Sequence, residues 1–252
     1  MLTDTLEAWW QVKDADVTAM GNIASQVVSG DYFGLAGAGG YPGVPVYNGT
    51  ADFGDGAVSE IGWLTGSSVS QAKVYDYNYF ESKIPDSIIP TTILTGNLTG
   101  ATPDSRGYEW YKYTGPVNLT IDSNIALGGR KVILLVENAD LILNAKINLA
   151  DGAGFFGAFV NGKIIVDPSV GGGGSTPHLE GIYLADSSFS TGAGDTQLRI
   201  RGSVAAYGGV SLQRNLADNE IPAEFFEFAP DQIVLFPSRL GTRKMDWKEV
   251  AP

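Results

Sequence analysis

The feature that most constrains the fold is a short apolar phrase that recurs along the second half of the chain. Pairs of apolar residues recur at intervals of 22, 23, 18 and 16 residues, at Leu119/Ile121, Leu141/Leu143, Ile164/Val166, Ile182/Leu184 and Leu198/Ile200. Several pairs are followed by a short corner and another β-branched residue, as in LTIDSNI, LILNAKI, IIVDPSV and LRIRGSV. One coil of a β-solenoid has this length, and stacked coils bury the repeated apolar residues.

Two all-β architectures are compatible with this pattern. An antiparallel sandwich also contains short strands at regular intervals, but its architecture does not require the same corner sequence between them. Asn and Gly at the corners tolerate the left-handed backbone that tight solenoid turns require. The pattern therefore favours an all-β chain with an irregular right-handed β-solenoid (β-helix) over residues 108–216.

The remaining segments are predicted to pack on this solenoid as one cooperative unit, because no Pro/Ser linker separates them. Residues 1–107 are predicted to form a loop-rich N-terminal part, with short strands between Trp9 and Val28 and a Gly-rich loop over 31–66. The segment Tyr75–Ile84 is predicted to be helical and to end at Pro85.

The aromatic tail is predicted to close one end of the stack. Residues 217–252 contain Phe225, Phe226, Phe228, Phe236 and Trp247. A terminal coil would otherwise expose its core and an unpaired strand edge, so we expect this tail to act as the C-terminal cap.

Composition excludes several classes of function. The 252 residues contain no Cys and one His, so disulfides, Cys-ligated metal centres and a Cys nucleophile are absent. A net charge of −12 argues against nucleic acid or an anionic membrane surface as a partner. No apolar run approaches the ~18 residues of a membrane-spanning helix, so no direct membrane insertion is expected.

The N-terminal residues and the composition bear on location. The first ten residues, MLTDTLEAWW, have neither the basic nor the apolar region of a signal peptide. Either the protein is cytosolic or the sequence begins inside a longer secreted protein. Charged residues make up only 17% of a chain rich in Gly, Thr, Asn and aromatics, which favours an extracellular or cell-surface protein.

Several long phrases resemble one family. They include WWQVKDADVTAMGNI, GAGGYPGVPVYNGTADFG, YDYNYF, HLEGIYLADSSFSTG, LRIRGSVAAYGGVSLQRNL and PAEFFEFAPDQIVLFP. Together they resemble the C-terminal region of large uncharacterised surface or secreted proteins of uncultured bacteria with very small genomes. The resemblance implies a surface location and no particular chemistry. The repeated part also resembles bactofilin-like right-handed β-helices, which polymerise end to end, although the long N-terminal loops and the aromatic tail depart from that pattern.

The sequence offers one candidate catalytic set. Asp151, Asp167 and Asp186 fall near the corners of successive coils and could line one face, where paired carboxylates could cleave a glycosidic bond. Asp is also a standard turn residue. His178, the only possible His base, lies in a Gly-rich stretch beside Ser175, where an exposed loop His is expected.

Two further sets could bind ligands. A carbohydrate-binding platform could be formed by Trp9, Trp10, Trp63, Tyr77 and Tyr79, although aromatic residues are more often core. Asp52 and Asp55 could contribute to a weak Ca²⁺ site, although structural turns are the preferred explanation for them. No other cofactor is expected.

The function expected from these observations is that of a non-catalytic structural or adhesive module of a surface protein. Its partners would be copies of itself, a surface glycan or a surface protein. The alternative is a carbohydrate-active enzyme or a carbohydrate-binding module on a β-helix scaffold.

Overall fold

The computed structural model describes residues 8–62, 65–66 and 75–241. The fold is an all-β solenoid of about 9 turns with only 5% helix, as the repeated phrase predicts. Every ladder between strands in the described residues is parallel, which distinguishes the fold from the antiparallel sandwich.

The strands follow the chain in two blocks. The N-terminal block contains β1 (Trp10–Lys13), β2 (Val17–Ala19), β3 (Ile23–Ala24), β4 (Tyr32–Leu35), β5 (Pro45–Tyr47), β6 (Ala51–Asp52), β7 (Ala57–Ser59) and β8 (Thr65–Gly66). After helix α1 (Tyr77–Ser82), the second block contains β9 (Thr91–Thr92), β10 (Tyr108–Thr114), β11 (Leu119–Ile121), β12 (Ile125–Gly128), β13 (Lys131–Glu137), β14 (Leu141–Leu143), β15 (Ile147–Leu149), β16 (Phe155–Val160), β17 (Ile164–Val166), β18 (Leu179–Ala185), β19 (Phe189–Ser190), β20 (Leu198–Ala206), β21 (Val210–Ser211) and β22 (Glu224–Glu227). Helix α2 (Pro230–Val234) follows β22.

The order of strands in space differs from their order in the chain. The main sheet runs β7-β4-β1-β22-β20-β18-β16-β13-β10-β9, with β12 and β15 attached beside β18. A second sheet runs β11-β14-β17-β19-β21, and two smaller sheets run β2-β5-β8 and β3-β6. The first coils of the chain therefore stack on its last coil.

The junction between the two blocks lies at β1 and β22. These strands pair in register from Trp10↔Glu224 to Lys13↔Glu227, and the last pair forms a 2.8 Å ion pair. The Trp9 indole N–H donates to the carbonyl of Asn219 at 2.9 Å. Solenoid coils therefore occur on both sides of the predicted 108–216 core, and much of the predicted loop-rich part consists of coils.

The aromatic tail occupies a different place from the predicted one. Phe225 and Phe226 lie in β22, inside the stack rather than at its end. Phe236 packs on the outer face of the main sheet, and Phe228 is 37% exposed. Trp247 lies outside the described residues. The edge of β22 needs no cap because β1 pairs with it.

The second sheet explains the uneven spacing of the apolar phrase. Leu119, Leu141, Ile164 and Phe189 are register partners in successive coils. The pairs at Ile182/Leu184 and Leu198/Ile200 belong to the main sheet instead. The interval of 18 therefore compares two different sheets, and the interval of 16 compares positions of β18 and β20 that are not register partners.

Both faces of the main sheet are covered, which accounts for continuous apolar strands such as KVILLVE. The predicted helix forms over Tyr77–Ser82, and the Phe80 ring stacks on Phe159 at 4.1 Å. Asp76 caps this helix by accepting from the Tyr79 N–H at 2.8 Å. The helix therefore covers the outer face of the sheet.

A loop closes the β9 end of the stack. Ile93 and Leu98 are buried against the solenoid core, with exposed fractions of 7% and 2%. Arg130 donates to the Leu98 carbonyl at 2.7 Å and also binds Glu109. This arrangement covers the core at that end.

Candidate functional site

The three candidate catalytic carboxylates follow strands on three different sides of the coil. Asp151 follows β15, is 83% exposed and lies 3.4 Å from Arg201. Asp167 follows β17 and closes its own turn by accepting from the Ser169 N–H at 2.9 Å and hydroxyl at 2.6 Å, which lowers the pKa of Asp167.

Asp186, the third member, follows β18 at another corner. Its carboxylate accepts from the Tyr77 N–H at 3.0 Å and from the Asn161 amide at 3.3 Å, so it fixes α1 to the solenoid. The expected line of three acids along one face is therefore wrong, because consecutive corners in the chain belong to different edges of the coil.

The predicted aromatic platform is divided between two packed regions. Trp9 is 2% exposed, and Trp10 packs edge-on against Phe33 at 4.6 Å between ring centroids. The Trp10 indole N–H donates to the Ala24 carbonyl at 2.7 Å. These two tryptophans belong to the junction between the blocks.

The other aromatic candidates lie around α1. Tyr77 is 1% exposed, and burial raises its pKa. Tyr79 packs edge-on against Tyr75 at 5.0 Å, and its hydroxyl is buried without a hydrogen-bond partner in the described structure. Tyr75 is 48% exposed. Trp63 lies outside the described residues.

The calcium candidates lie in a turn. The Asp52 carboxylate accepts from the Gly54 N–H at 3.1 Å, and Asp55 is exposed. No cluster of three or more His, Cys, Asp or Glu that could hold a metal occurs in the described ranges.

Carboxylate and amide side chains at the corners instead bind the backbone of the next coil. Each accepts a main-chain N–H about one coil further along the chain, in the pairs Asp14–Gly37, Asp16–Val44, Asn22–Thr50, Asn124–Lys146 and Asp140–Lys163. The distances run from 2.6 to 2.9 Å. The polar corner residues noted in the sequence therefore connect successive coils.

The most extensive buried polar cluster was missed by sequence reasoning. Arg214 is 2% exposed and donates to the main-chain carbonyls of Thr191 at 2.8 Å, Pro168 at 2.6 Å and Asp167 at 2.9 Å. The buried Glu224 carboxylate accepts from the Arg214 N–H and the Thr191 hydroxyl, both at 2.8 Å. We call Arg214, Glu224 and Thr191 the Arg214 cluster.

The Arg214 cluster stabilises the fold by binding main-chain groups of the stack. Its guanidinium satisfies carbonyls from two successive corners, and burial raises the pKa of Glu224. No sequence signal marks this arginine, because the main-chain carbonyls that it binds belong to turns 23 to 47 residues away.

His178 is buried, which corrects the expectation of an exposed loop residue. It is 3% exposed, and its Nδ1 accepts from the Arg199 N–H at 3.0 Å, whereas Ser175 is exposed. Burial, reinforced by the positive charges of Lys146 and Arg199, lowers the pKa of His178 to about 4. The neutral imidazole therefore serves as an acceptor within the stack.

We expect stability to fall by about 1–3 kcal/mol as the pH falls from 6.5 to 4 through the His178 contribution. The folded-state pKa is depressed, so the unfolded chain takes up a proton in this window and the folded chain does not. Urea unfolding midpoints measured across this range for the wild type and His178→Asn test it. The difference between the two proteins should shrink as the pH falls, and a constant difference would contradict the assignment.

No protein-family model, curated protein or solved structure matches the chain. None of the helices in the described residues is long and apolar enough to cross a membrane.

Proposed function

We propose that the chain is a non-catalytic structural or adhesive module of an extracellular or cell-surface protein. The observation that carries this proposal is the use of its candidate chemical groups in the fold itself. Asp167, Asp186, His178 and Arg214 each bind main-chain atoms of the stack.

The mechanism of such a module follows from its stacking. Parallel ladders join all coils of the main sheet, and the layer of α1 and the C-terminal segment supports its outer face. The result is a rigid body that holds surface loops at fixed spacing. Loops within 31–66 and 171–177 offer contacts for a surface glycan or protein, and Tyr41 is 66% exposed there.

Self-association belongs to the same proposal. The outer edge of β7 has no ladder partner in the described part of the chain, whereas the β9 end is covered by Ile93 and Leu98. Strand addition at an open edge is a common route to assembly. The surface location is supported by the composition, in which charged residues make up only 17% of the chain.

The first test is the mass of the purified protein in solution across a concentration series, with and without calcium. We expect the mean mass to rise above 26.7 kDa with concentration. A strict monomer would remove self-association from the proposal. A dependence on calcium that Asp52→Asn and Asp55→Asn abolish would instead indicate a metal site.

A carbohydrate-binding role is the second candidate, and the half-exposed Tyr75 ring beside Tyr79 favours it. A panel of soluble polysaccharides should be tested for binding and for cleavage. Binding that is lost in Tyr75→Ala would support this role. Cleavage that is lost in Asp151→Asn, Asp167→Asn or Asp186→Asn would overturn the non-catalytic proposal.

A further inference from the structure

The coil at the junction of the two blocks is incomplete. β20 pairs with β18 as far as Ala206, but β22 pairs with β20 only over Leu198–Arg201. After β22 the chain donates from the Phe228 N–H to the Lys13 carbonyl and then turns away into α2. Among the described residues, this coil therefore has a strand on one side only.

Open strand edges flank the missing part. On one side, the 203–206 part of β20 and all of β21 have no further ladder partner among the described strands. On the other side, β2 and β3 pair only with the coil beyond them. Since β22 alone separates β20 from β1, we expect these edges to lie two strand spacings, or about 9.5 Å, apart. We call this space the junction gap.

The apolar interior becomes exposed at the junction gap. The register partners Leu119, Leu141, Ile164 and Phe189 are 2%, 0%, 0% and 0% exposed, whereas the next member of the column, Val210, is 48% exposed. Val210 lies in the last strand of the second sheet, and no described strand of the next coil covers it. The stacked row of these register partners therefore ends at Val210, without an apolar side chain from a further coil to cover it.

Main-chain groups also point into the junction gap. The carbonyls of Gly209 and Ser211 accept from the N–H groups of Phe189 and Thr191, so the N–H and C=O of Val210 between them point away from β19. In β2, Val17 and Ala19 bond to the next coil, so the N–H and C=O of Thr18 face the gap. Both edges thus present main-chain donors and acceptors that have no ladder partner among the described strands.

We propose that the junction gap binds an extended segment of a partner polypeptide, which completes the coil by β-augmentation. This goes beyond the proposed function by naming the binding surface and the chemistry of its occupant. The occupant is one strand thick, because the space is two strand spacings wide. It runs parallel to β20 and β21, with apolar side chains at alternate positions facing Val210. The net charge of −12 favours a neutral or basic segment.

The test uses the full chain and a labelled peptide with the sequence of residues 182–190, followed by two lysines for solubility. This sequence forms the corresponding part of the coil two turns away, from the main sheet through a corner to the second sheet. We expect fluorescence anisotropy to show saturable binding in the micromolar range. A control peptide with proline in place of its leucine, which corresponds to Leu184, should not bind, because it lacks a ladder N–H.

Variants of Val210 locate the binding. Val210→Ala should weaken binding by about threefold through lost apolar contact. Val210→Lys should weaken binding by more than about tenfold, because a charged side chain would replace the apolar side chain on which the peptide packs. Ile233→Lys is the matched control, since Ile233 is 52% exposed on α2 and should leave binding unchanged.

Three results would overturn the proposal. They are no binding at about 1 mM peptide, binding that Val210→Lys leaves intact, and a homodimer that Val210→Lys dissociates. The first would mean that the gap is closed or filled by the chain itself, and the last that a second copy fills it. Because the readout is peptide binding, failure here would leave the mass and polysaccharide experiments informative about the proposed function.

Discussion

Replacing Arg214 by methionine is expected to lower the free energy of unfolding by about 3–5 kcal/mol. The buried guanidinium satisfies the carbonyls of Thr191, Pro168 and Asp167. Methionine fills much of the same volume but leaves these acceptors without a donor. It also removes the positive charge beside Glu224, whose pKa is already raised by burial. Chemical denaturation followed by tryptophan fluorescence measures the loss.

A double-mutant cycle of Arg214→Met with Glu224→Gln identifies the cause of that loss. Glu224→Gln should recover part of the stability in the Arg214→Met background, because it removes a buried charge that has lost its counterion. In that background, stability should also increase as the pH falls, since the raised pKa of Glu224 means that the folded state binds a proton more readily than the unfolded state. A loss below about 1 kcal/mol for Arg214→Met would show that the Arg214 cluster is not coupled to folding.

Replacing Gly202 by alanine is expected to destabilise the protein by at least about 3 kcal/mol. Gly202 has a φ of +145° and follows the part of β20 that pairs with β22, before the part that pairs only with β18. A methyl group there would overlap the carbonyl oxygen of Gly181, which has a φ of +132° and is its register partner in β18. Neither the backbone conformation nor the space suits a side chain.

A matched glycine supplies the control for Gly202. Gly173 has no positive φ, and a methyl group there would meet nothing within 4 Å. Gly173→Ala should therefore change the free energy of unfolding by less than about 0.5 kcal/mol. Equal effects of the two substitutions would mean that the close approach of Gly202 and Gly181 does not limit the stack.

The repeated phrase predicted the class of fold because its physical basis is local. Alternating apolar residues such as Leu141 and Leu143 can bury one face only in an extended strand, and the corner that follows must turn tightly. The helix at Tyr77–Ser82 was predictable for the same reason, since Asp76 supplies a cap and Pro85 a stop. The candidate sites were less predictable. The sequence around an Asp at a corner is the same whether its carboxylate closes its own turn or faces a substrate.

By itself, the sequence determined that the chain is β-rich, that its second half repeats, and that Cys-based chemistry is absent. Only the tertiary structure decided that the first coil stacks on the last, that His178 and Arg214 are buried, and that Val210 is left uncovered. The physical reason is the range of the interactions. Strand formation depends on neighbouring residues, whereas the pairing of Trp10 with Glu224 joins edges more than 200 residues apart and leaves no periodic signal in either segment.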